Sequence, residues 1–196
     1  KILSKISNTI ITYLTLISPQ LNTRIRYWQN FRQKINLKNP QTLDEKIQWL
    51  KFNTYYKNPL VIQCADKYAV RQYVIDKGYG DTLNECYRVY ESFDEIDFDS
   101  LPNQFVLKIT TACGMNFICK DKSKLDIEKL RDIVADWYNN LKDYGLKTAE
   151  WHYVEIKPRL IVEKYLSMLG ESLSLVDYKG FLSNTGHSPL NTFLFY

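Results

Sequence analysis

The chain has 196 residues, which is enough for one ordinary domain or two small ones with a buried core. Hydrophobic residues make up 45% of it and charged residues 24%, close to the usage of soluble globular proteins, so disordered and fibrous classes are excluded. The net charge is +4, but residues 1–40 contain seven basic residues and no acidic one.

We call residues 1–40 the basic arm, and its charge indicates an anionic partner, either a polymer or a membrane surface. A solvated helical face would explain the same charges, and the sequence leaves both interpretations open. The four cysteines form no CxxC pair and fit a reducing compartment. We therefore expect a cytoplasmic protein, with peripheral attachment to the inner membrane surface as a further expectation from the arm.

Helical patterns fill the first part of the chain. Residues 3–35 are predicted to form one or two helices, and the apolar run at 9–18 is far too short to span a bilayer. A further helix opens at Thr42, because Thr42 and Glu45 have the spacing of a capping box. The Asn-Pro pair at 58–59 is expected to end that helix.

A third helix is predicted over residues 60–77, with Gly78 as its C-terminal glycine. Its charged residues Asp66, Lys67 and Arg71 fall at helical spacing. A solvated helical face would account for these charges, and the spacing alone does not decide whether they do more.

After Gly80 the pattern changes to short apolar runs separated by turn residues, which indicates strands. The predicted order is a strand, a hairpin, a helix and two further strands, an α+β arrangement. We expect a helical region at 1–80 and an α+β region at 81–196. The predicted strands are CYRVY, FVLKI, NFICK, KPRLIVEKYL and LSLVDYKGFL, and the helix has an apolar stripe at Ile127, Leu130, Val134, Trp137 and Leu141.

The strand FVLKI places Lys108 in a run that otherwise has the composition of a buried sheet. Because side chains alternate along a strand, Lys108 shares a face with Val106 and Thr110. A charged side chain on such a half-buried face is expected to have an anionic partner. The small-residue loop TTACGMN follows, and its backbone N–H groups could meet phosphate oxygens beside the lysine charge. Together with the later strand that ends in Glu-x-Tyr, this order is typical of a nucleotide site.

Five segments between residues 36 and 166 resemble, in order, the ATP-grasp proteins of bacterial surface-polysaccharide biosynthesis. The similar branch is the TupA-like one, named for teichuronopeptide synthesis and often labelled glycosyltransferase. The resemblance implies an α+β fold in which two subdomains clasp ATP, here an incomplete ATP-grasp fold preceded by an N-terminal helical region. The segments are NLKNPQTLDEKIQWLK, ADKYAVRQYV, YESFDEIDFDSLPNQFVLK, NFICKDKSKLD and IKPRLIVEKYL.

The resemblance also implies roles for particular residues. By position, Lys108 would contact a nucleotide phosphate, and Thr110, Gly114 and Asn116 would belong to the loop that covers the phosphates. Lys120 would add a second cation there, a surface hairpin lysine being the alternative.

The strand that ends in Glu-x-Tyr would supply the adenine side of the site. Glu163 and Tyr165 resemble the hinge that meets adenine, largely through backbone groups. Asp177, in the sequence DYK, would reach the ribose.

Two departures from the family pattern bear on activity. The loop has a single glycine, Gly114, so fewer positions can take a positive φ and approach phosphate closely. The family uses Mg²⁺ with ATP, but residues 180–196 contain no Asp or Glu, and we expect its ligands to lie beyond the end of this chain. The chain as it stands is therefore expected to bind ATP without turning it over.

Two functions follow as hypotheses. The first is an ATP-grasp carboxylate–amine ligase, or a protein related to glycosyl transfer, that acts on a capsular or cell-wall polysaccharide or its precursor. The second is a noncatalytic remnant or binding module whose basic arm docks on an anionic polysaccharide or a membrane. Nucleic-acid binding ranks last, because helix packing explains the aromatic residues Tyr27, Trp28 and Phe31 of the arm equally well.

Overall fold

The structure is a computed structural model that describes residues 2–141 and 143–166. All of these except Leu166 belong to one compact unit, residues 1–165. The predicted strand LSLVDYKGFL and Asp177 lie outside the described residues. The boundary near residue 80 stays a prediction.

Two helices, rather than one, form the first part of the chain. Ser18 and Pro19 separate them, because the Ser18 side chain accepts the N–H of Leu21 and proline fits the first helical position. The α-helices of the described residues are α1 Ile2–Ile17, α2 Pro19–Phe31, α3 Leu43–Asn53, α4 Pro59–Ala65, α5 Ala69–Asp76, α6 Ile127–Leu141 and α7 Tyr144–Thr148. No helix among them is both long and apolar enough to cross a membrane.

The capping box at Thr42 is confirmed, since its hydroxyl accepts the N–H of Glu45 while the Glu45 carboxylate accepts the N–H of Thr42. The predicted end of this helix at the Asn-Pro pair was wrong, because α3 ends at Asn53. The pair instead starts α4, where the Asn58 side chain accepts the N–H of Leu60.

The prediction of a single helix over 60–77 was also wrong. The backbone of Asp66 is extended and separates α4 from α5. Its carboxylate accepts the N–H groups of Tyr68 and Ala69, which satisfies donors at the start of α5. Gly78 follows α5 with a φ of 82°, as expected of a glycine at a helix end.

Within the described part of the chain, four strands form one antiparallel sheet with the order β1-β4-β2-β3. The predicted hairpin is therefore confirmed as β2 and β3, and the α+β class is confirmed with it. Lys108 of β2 lies opposite Ile161 of β4 on one side and Asn116 of β3 on the other. The strands are β1 Cys86–Tyr90, β2 Phe105–Ile109, β3 Asn116–Cys119 and β4 Leu160–Lys164.

The core lies between one face of this sheet and α6. Leu107 and Ile109 are completely buried there, and the apolar stripe of α6 packs against the same face. Leu130, Val134 and Trp137 of the stripe are buried as predicted, whereas Ile127 at the start of the helix is exposed. The opposite face of the sheet carries Lys108, so the core side and the charged side of β2 are separated by the alternation of the strand.

Candidate functional site

Lys108 lies on the half-buried face of β2, as the alternation of the strand predicts. Its Nζ is 2.7 Å from Oε2 of Glu163 on the neighbouring strand β4. The two residues are diagonal neighbours across the strand pair, because Val106 is the residue directly opposite Glu163. The anion that the lysine needs is therefore supplied by the chain itself.

Arg71 of α5 contacts the same carboxylate. Its Nη1 is 3.3 Å from Oε1 of Glu163, and its Nη2 donates to the carbonyl oxygen of Asn84 at 2.6 Å. The Glu163 side chain is 11% exposed, the Arg71 side chain 18% and the Lys108 side chain 32%. One nearly buried carboxylate thus faces two cations, and Lys108 is the cation that solvent reaches more easily.

Lys67, in the connection between α4 and α5, fixes the loop that follows β2. Its Nζ donates to the carbonyl oxygens of Thr111 at 3.2 Å and Ala112 at 2.5 Å, and its backbone N–H donates to the carbonyl of Thr110. Burial is the main cause that lowers the pKa of Lys67, and the positive charge of Lys108 acts in the same direction. The Lys67 ammonium group is therefore already engaged by loop carbonyls. Lys108 is near enough to lower the pKa of Lys67.

The loop at residues 110–115 has two residues in the left-handed backbone region, Ala112 with a φ of 63° and Gly114 with a φ of 74°. A Cβ at Gly114 would meet nothing within 4 Å, so backbone conformation and not space favours glycine there. Ala112 adopts the same region at a cost of about 1–2 kcal/mol. The contact of Lys67 with the Ala112 carbonyl helps to hold it in this conformation.

A separate ion pair anchors the start of the loop. Nη2 of Arg159 is 3.0 Å from Oδ2 of Asp66, whose other oxygen accepts the backbone N–H groups at the start of α5. The backbone of Arg159 also pairs with Thr110, because the Thr110 hydroxyl accepts the Arg159 N–H and the Thr110 N–H donates to the Arg159 carbonyl. Asp66 and Arg159 therefore join the helical part of the chain to the entrance of the loop.

The structure brings some of the sequence-predicted site residues together. Lys108 and Glu163 are in contact, and Asn116 lies opposite Lys108 on β3, where it is exposed. Thr110 is completely buried, with its hydroxyl engaged by Arg159. Gly114 is exposed in the loop.

Other predicted residues lie elsewhere. Lys120 follows the end of β3 that is paired with Phe105, the opposite end of the hairpin from the loop. It is exposed, and its carbonyl accepts a hydrogen bond from the Gln104 side chain. Tyr165 follows β4 directly and is half-buried. Asp177 lies outside the described residues, so its expected contact with ribose stays a prediction.

Sequence analysis missed the part that Lys67 and Arg71 play. Their four-residue spacing was visible, but it fits a solvated face as well as a cluster, and the partners lie far along the chain. Within residues 2–141 and 143–166, no group of three or more His, Cys, Asp or Glu side chains could hold a metal ion. The expected Mg²⁺ site stays a prediction.

The arrangement as a whole presents a lysine on the side of the sheet away from the core. The loop that follows the lysine strand exposes Cys113 and Gly114. Comparison with protein families finds a match to the TupA-like ATPgrasp family over residues 45–188, which is more than half of the chain. Comparisons with curated proteins and with solved structures find no match. The matched range contains Lys67, Arg71, Lys108 and Glu163. The chain therefore belongs to the TupA-like ATP-grasp family, whose members are nucleotide-binding proteins with ATP as the implied ligand.

Proposed function

We propose that Lys108 and the loop at 110–115 bind the phosphates of ATP, in a protein that serves the biosynthesis of a capsular or cell-wall polysaccharide. The observation that carries the proposal is the shared carboxylate of Glu163, which contacts both Lys108 and Arg71. A phosphate oxygen can replace Glu163 at Lys108 while Glu163 keeps Arg71 as its partner. The exchange leaves no buried charge unpaired, which is the condition for it to cost little.

Lys108 is the best placed for this exchange among the described cations near the loop, which are Lys67, Arg71, Lys108 and Arg159. Lys67 already donates to two loop carbonyls, and Arg159 is paired with the nearly buried Asp66. Lys108 is more exposed than Arg71 and lies next to the loop, where backbone N–H groups can add to the binding of phosphate oxygens.

The adenine side of the proposed site lies where β4 ends. The N–H of Lys164 donates to the Glu85 carbonyl, and the Lys164 carbonyl accepts from the Asn84 side chain. The backbone groups of Lys164 are therefore engaged, and the Glu163 carboxylate contacts Lys108. We therefore assign the proposed adenine contact to the backbone of Tyr165. This role fits the hinge position that family resemblance implies for the segment.

The proposed reaction is that of a carboxylate–amine ligase, with glycosyl transfer as the related alternative. A carboxylate substrate attacks the γ-phosphate, ADP leaves, and an amine then displaces phosphate from the acylphosphate. Within the described residues the chain contributes binding and orientation of the nucleotide through Lys108 and the loop. The carboxylates Asp66 and Glu163 are engaged by arginine and lysine side chains, so these two residues do not fit an Mg²⁺ site.

A matched pair of variants tests the phosphate assignment. Lys108→Met removes the cation beside the loop, whereas Lys120→Met removes an exposed lysine at the other end of the same hairpin. We expect Lys108→Met to weaken ATP binding by about 1.5–3 kcal/mol, the range for a hydrogen bond to a charged group, and Lys120→Met to leave it unchanged. Titration calorimetry with ATP measures both, and equal affinities for Lys108→Met and the parent chain would refute the assignment.

A second candidate function rests on the outer surface of α1 and α2. Leu21, Arg24 and Trp28 of α2 follow one another at helical spacing, so apolar and basic groups share one exposed face. Arg32 lies over the Trp28 ring, 4.7 Å from its centroid, which holds a cation beside an aromatic side chain. Among the side chains that the structure describes from residue 9 onward, except that of residue 11, the large exposed apolar ones of the two helices are Ile10, Tyr13, Leu16, Ile17, Leu21, Trp28 and Phe31.

Such a surface fits the boundary of an anionic membrane, because aromatic rings favour the headgroup level and basic side chains are attracted to anionic lipid. We propose that the basic arm docks on anionic lipid. Vesicles of phosphatidylglycerol should bind the chain and vesicles of phosphatidylcholine should not. The double variant Arg24→Gln, Trp28→Ala should lose the binding, and Ile75→Ala, an exposed apolar residue of α5, should keep it.

Two results would contradict membrane docking. One is equal binding to anionic and neutral vesicles. The other is binding of the chain to a soluble acidic polysaccharide in preference to lipid, which would make an anionic glycan the partner of the basic arm.

A further inference from the structure

A cavity of about 230 Å³ lies beside the loop that follows β2. Thr111 of the loop lines it from one side, and Tyr138 and Leu141 of α6 line it from another. Tyr144 and Tyr153 complete the polar part of the wall, and the remaining lining residues are apolar or glycine. None of the lining side chains carries a charge, in contrast to the ion pairs around Glu163 and Asp66.

Two hydroxyl groups at this cavity are buried without a hydrogen-bond partner among the described residues, Oγ1 of Thr111 and Oη of Tyr138. Thr111 is 2% exposed, so bulk solvent does not satisfy its hydroxyl. A buried hydroxyl that lacks a partner is costly and rare in folded proteins, and it calls for an explanation. A bound molecule that offers hydrogen bonds to both groups would supply one.

The other two tyrosines tie the cavity wall to the loop. The backbone N–H of Cys113 donates to Oη of Tyr144 at 3.2 Å, and Sγ of Cys113 lies 4.0 Å from Oη of Tyr153. The two rings meet edge to face, with centroids 5.3 Å apart. Burial raises the pKa of both tyrosines, so their hydroxyl groups stay neutral.

We propose that this cavity binds a neutral small molecule, a single ring that carries hydroxyl groups. A charged group placed against this uncharged wall would lose hydration without meeting an opposite charge, which favours a neutral ligand. Threonine and tyrosine hydroxyls both donate and accept, so they match the hydroxyl groups of such a ligand, while tyrosine rings and aliphatic side chains cover its apolar face. The volume is below the roughly 300–1,000 Å³ of sites for drug-sized ligands, which limits the occupant to about one ring.

The test uses the purified full chain and two neutral probes, methyl α-glucopyranoside and phenol, with glucuronate as the charged comparison. Ligand-observed NMR titration should show binding of at least one neutral probe and not of glucuronate. Comparison of the two neutral probes shows whether the cavity prefers a saturated ring with hydroxyl groups or an aromatic one.

Two isosteric variants, Thr111→Val and Tyr138→Phe, remove only the unpartnered hydroxyl groups. Each should weaken binding of the neutral probe by about tenfold, the effect of one hydrogen bond, and should leave the urea midpoint unchanged or raise it. Tyr90→Phe is the matched control, because the Tyr90 hydroxyl is also buried without a partner among the described residues but does not line the cavity. Its probe affinity should equal that of the parent chain.

Three results would overturn the proposal. Absence of binding by both neutral probes would mean that water alone occupies the cavity. Binding of glucuronate as tight as that of the neutral probes would contradict a neutral site. Unchanged affinity in both Thr111→Val and Tyr138→Phe would show that the two hydroxyl groups do not face the ligand.

Discussion

Glu45 and Glu163 are both nearly buried, with 9% and 8% of their surface exposed, yet the chain satisfies the two carboxylates in different ways. Glu163 contacts the side-chain cations of Lys108 and Arg71. Glu45 has backbone partners instead, and it accepts the N–H groups of Asn36, Gln41 and Thr42.

The difference separates a structural carboxylate from one suited to a binding site. Backbone N–H groups are fixed by the turn before α3, so Glu45 cannot leave them without undoing that turn. Side-chain cations can accept another anion in place of Glu163 while the fold remains intact. A buried acid held by backbone therefore indicates local stability, and a buried acid shared by side-chain cations indicates a place where a ligand can exchange.

Glu45→Gln should destabilise the chain more than a substitution at Glu163 or Lys67. The amide NH₂ of glutamine would face backbone N–H donors that now share a carboxylate, and at least one donor would lose its acceptor. The urea midpoint at neutral pH measures the loss. Glu128→Gln, at an exposed carboxylate in the first turn of α6, is the control and should leave the midpoint unchanged.

The same carboxylate should govern stability in acid. Backbone hydrogen bonds, that from Gln41 first, lower the pKa of Glu45 from 4.5 to about 2. Because the folded pKa is below the unfolded one, this contribution is complete above pH 4.5 and is lost as the pH falls toward 2. Circular dichroism between pH 5 and pH 2 should show a shallower decline for Glu45→Gln than for the parent chain, and parallel curves would contradict this account.

Glu163→Gln sharpens the comparison because its two effects should have opposite signs. Stability should fall by about 1.5–3 kcal/mol, since Lys108 and Arg71 lose their charged partner. ATP affinity should rise by about tenfold, because the internal anion no longer competes for Lys108. Glu85→Gln, which removes the exposed carboxylate paired with Lys164, should change neither quantity. Weaker ATP binding in Glu163→Gln would show that the carboxylate assists the nucleotide instead of competing with it.

Lys67→Met should have the smallest effect and a local one. The loop carbonyls of Thr111 and Ala112 would lose a charged donor, so the loop should open more often. Amide hydrogen exchange at Cys113 and Gly114 should accelerate by about tenfold, the effect of one hydrogen bond. Lys77→Met, at the exposed end of α5, should leave these rates unchanged. Unaltered exchange in Lys67→Met would mean that the loop does not depend on this lysine.

The features that sequence predicted correctly are those with local causes. The capping box needs only Thr42 and Glu45, and the alternation that exposes Lys108 needs only one strand. The division of the predicted helix at Asp66 could not be inferred from periodicity, because an acidic residue at that position fits a helix surface equally well. Its two roles, toward the start of α5 and toward Arg159, depend on a partner more than ninety residues away.

The candidate site divides in the same way. Lys108 and Asn116 lie opposite each other because they belong to one hairpin. The sequence indicates such a hairpin, so their proximity could be predicted. Arg71 joins them because its side chain extends from α5 to Glu163 of β4, and no local sequence pattern indicates such a long-range contact. The cavity beside Thr111 was not predicted at all, since its wall comes from separate segments whose side chains are ordinary core residues in sequence.

The order of the strands also affects how the chain folds. β4 is the last of the four along the sequence, yet it lies between β1 and β2. The hairpin of β2 and β3 can form early because its strands are close in sequence, whereas β1 gains its partner only when Leu160–Lys164 has been synthesised. That late step also carries Glu163 to Lys108 and Arg71. A nascent chain that ends before residue 160 therefore lacks both a central strand of its sheet and the carboxylate that pairs with Lys108 and Arg71.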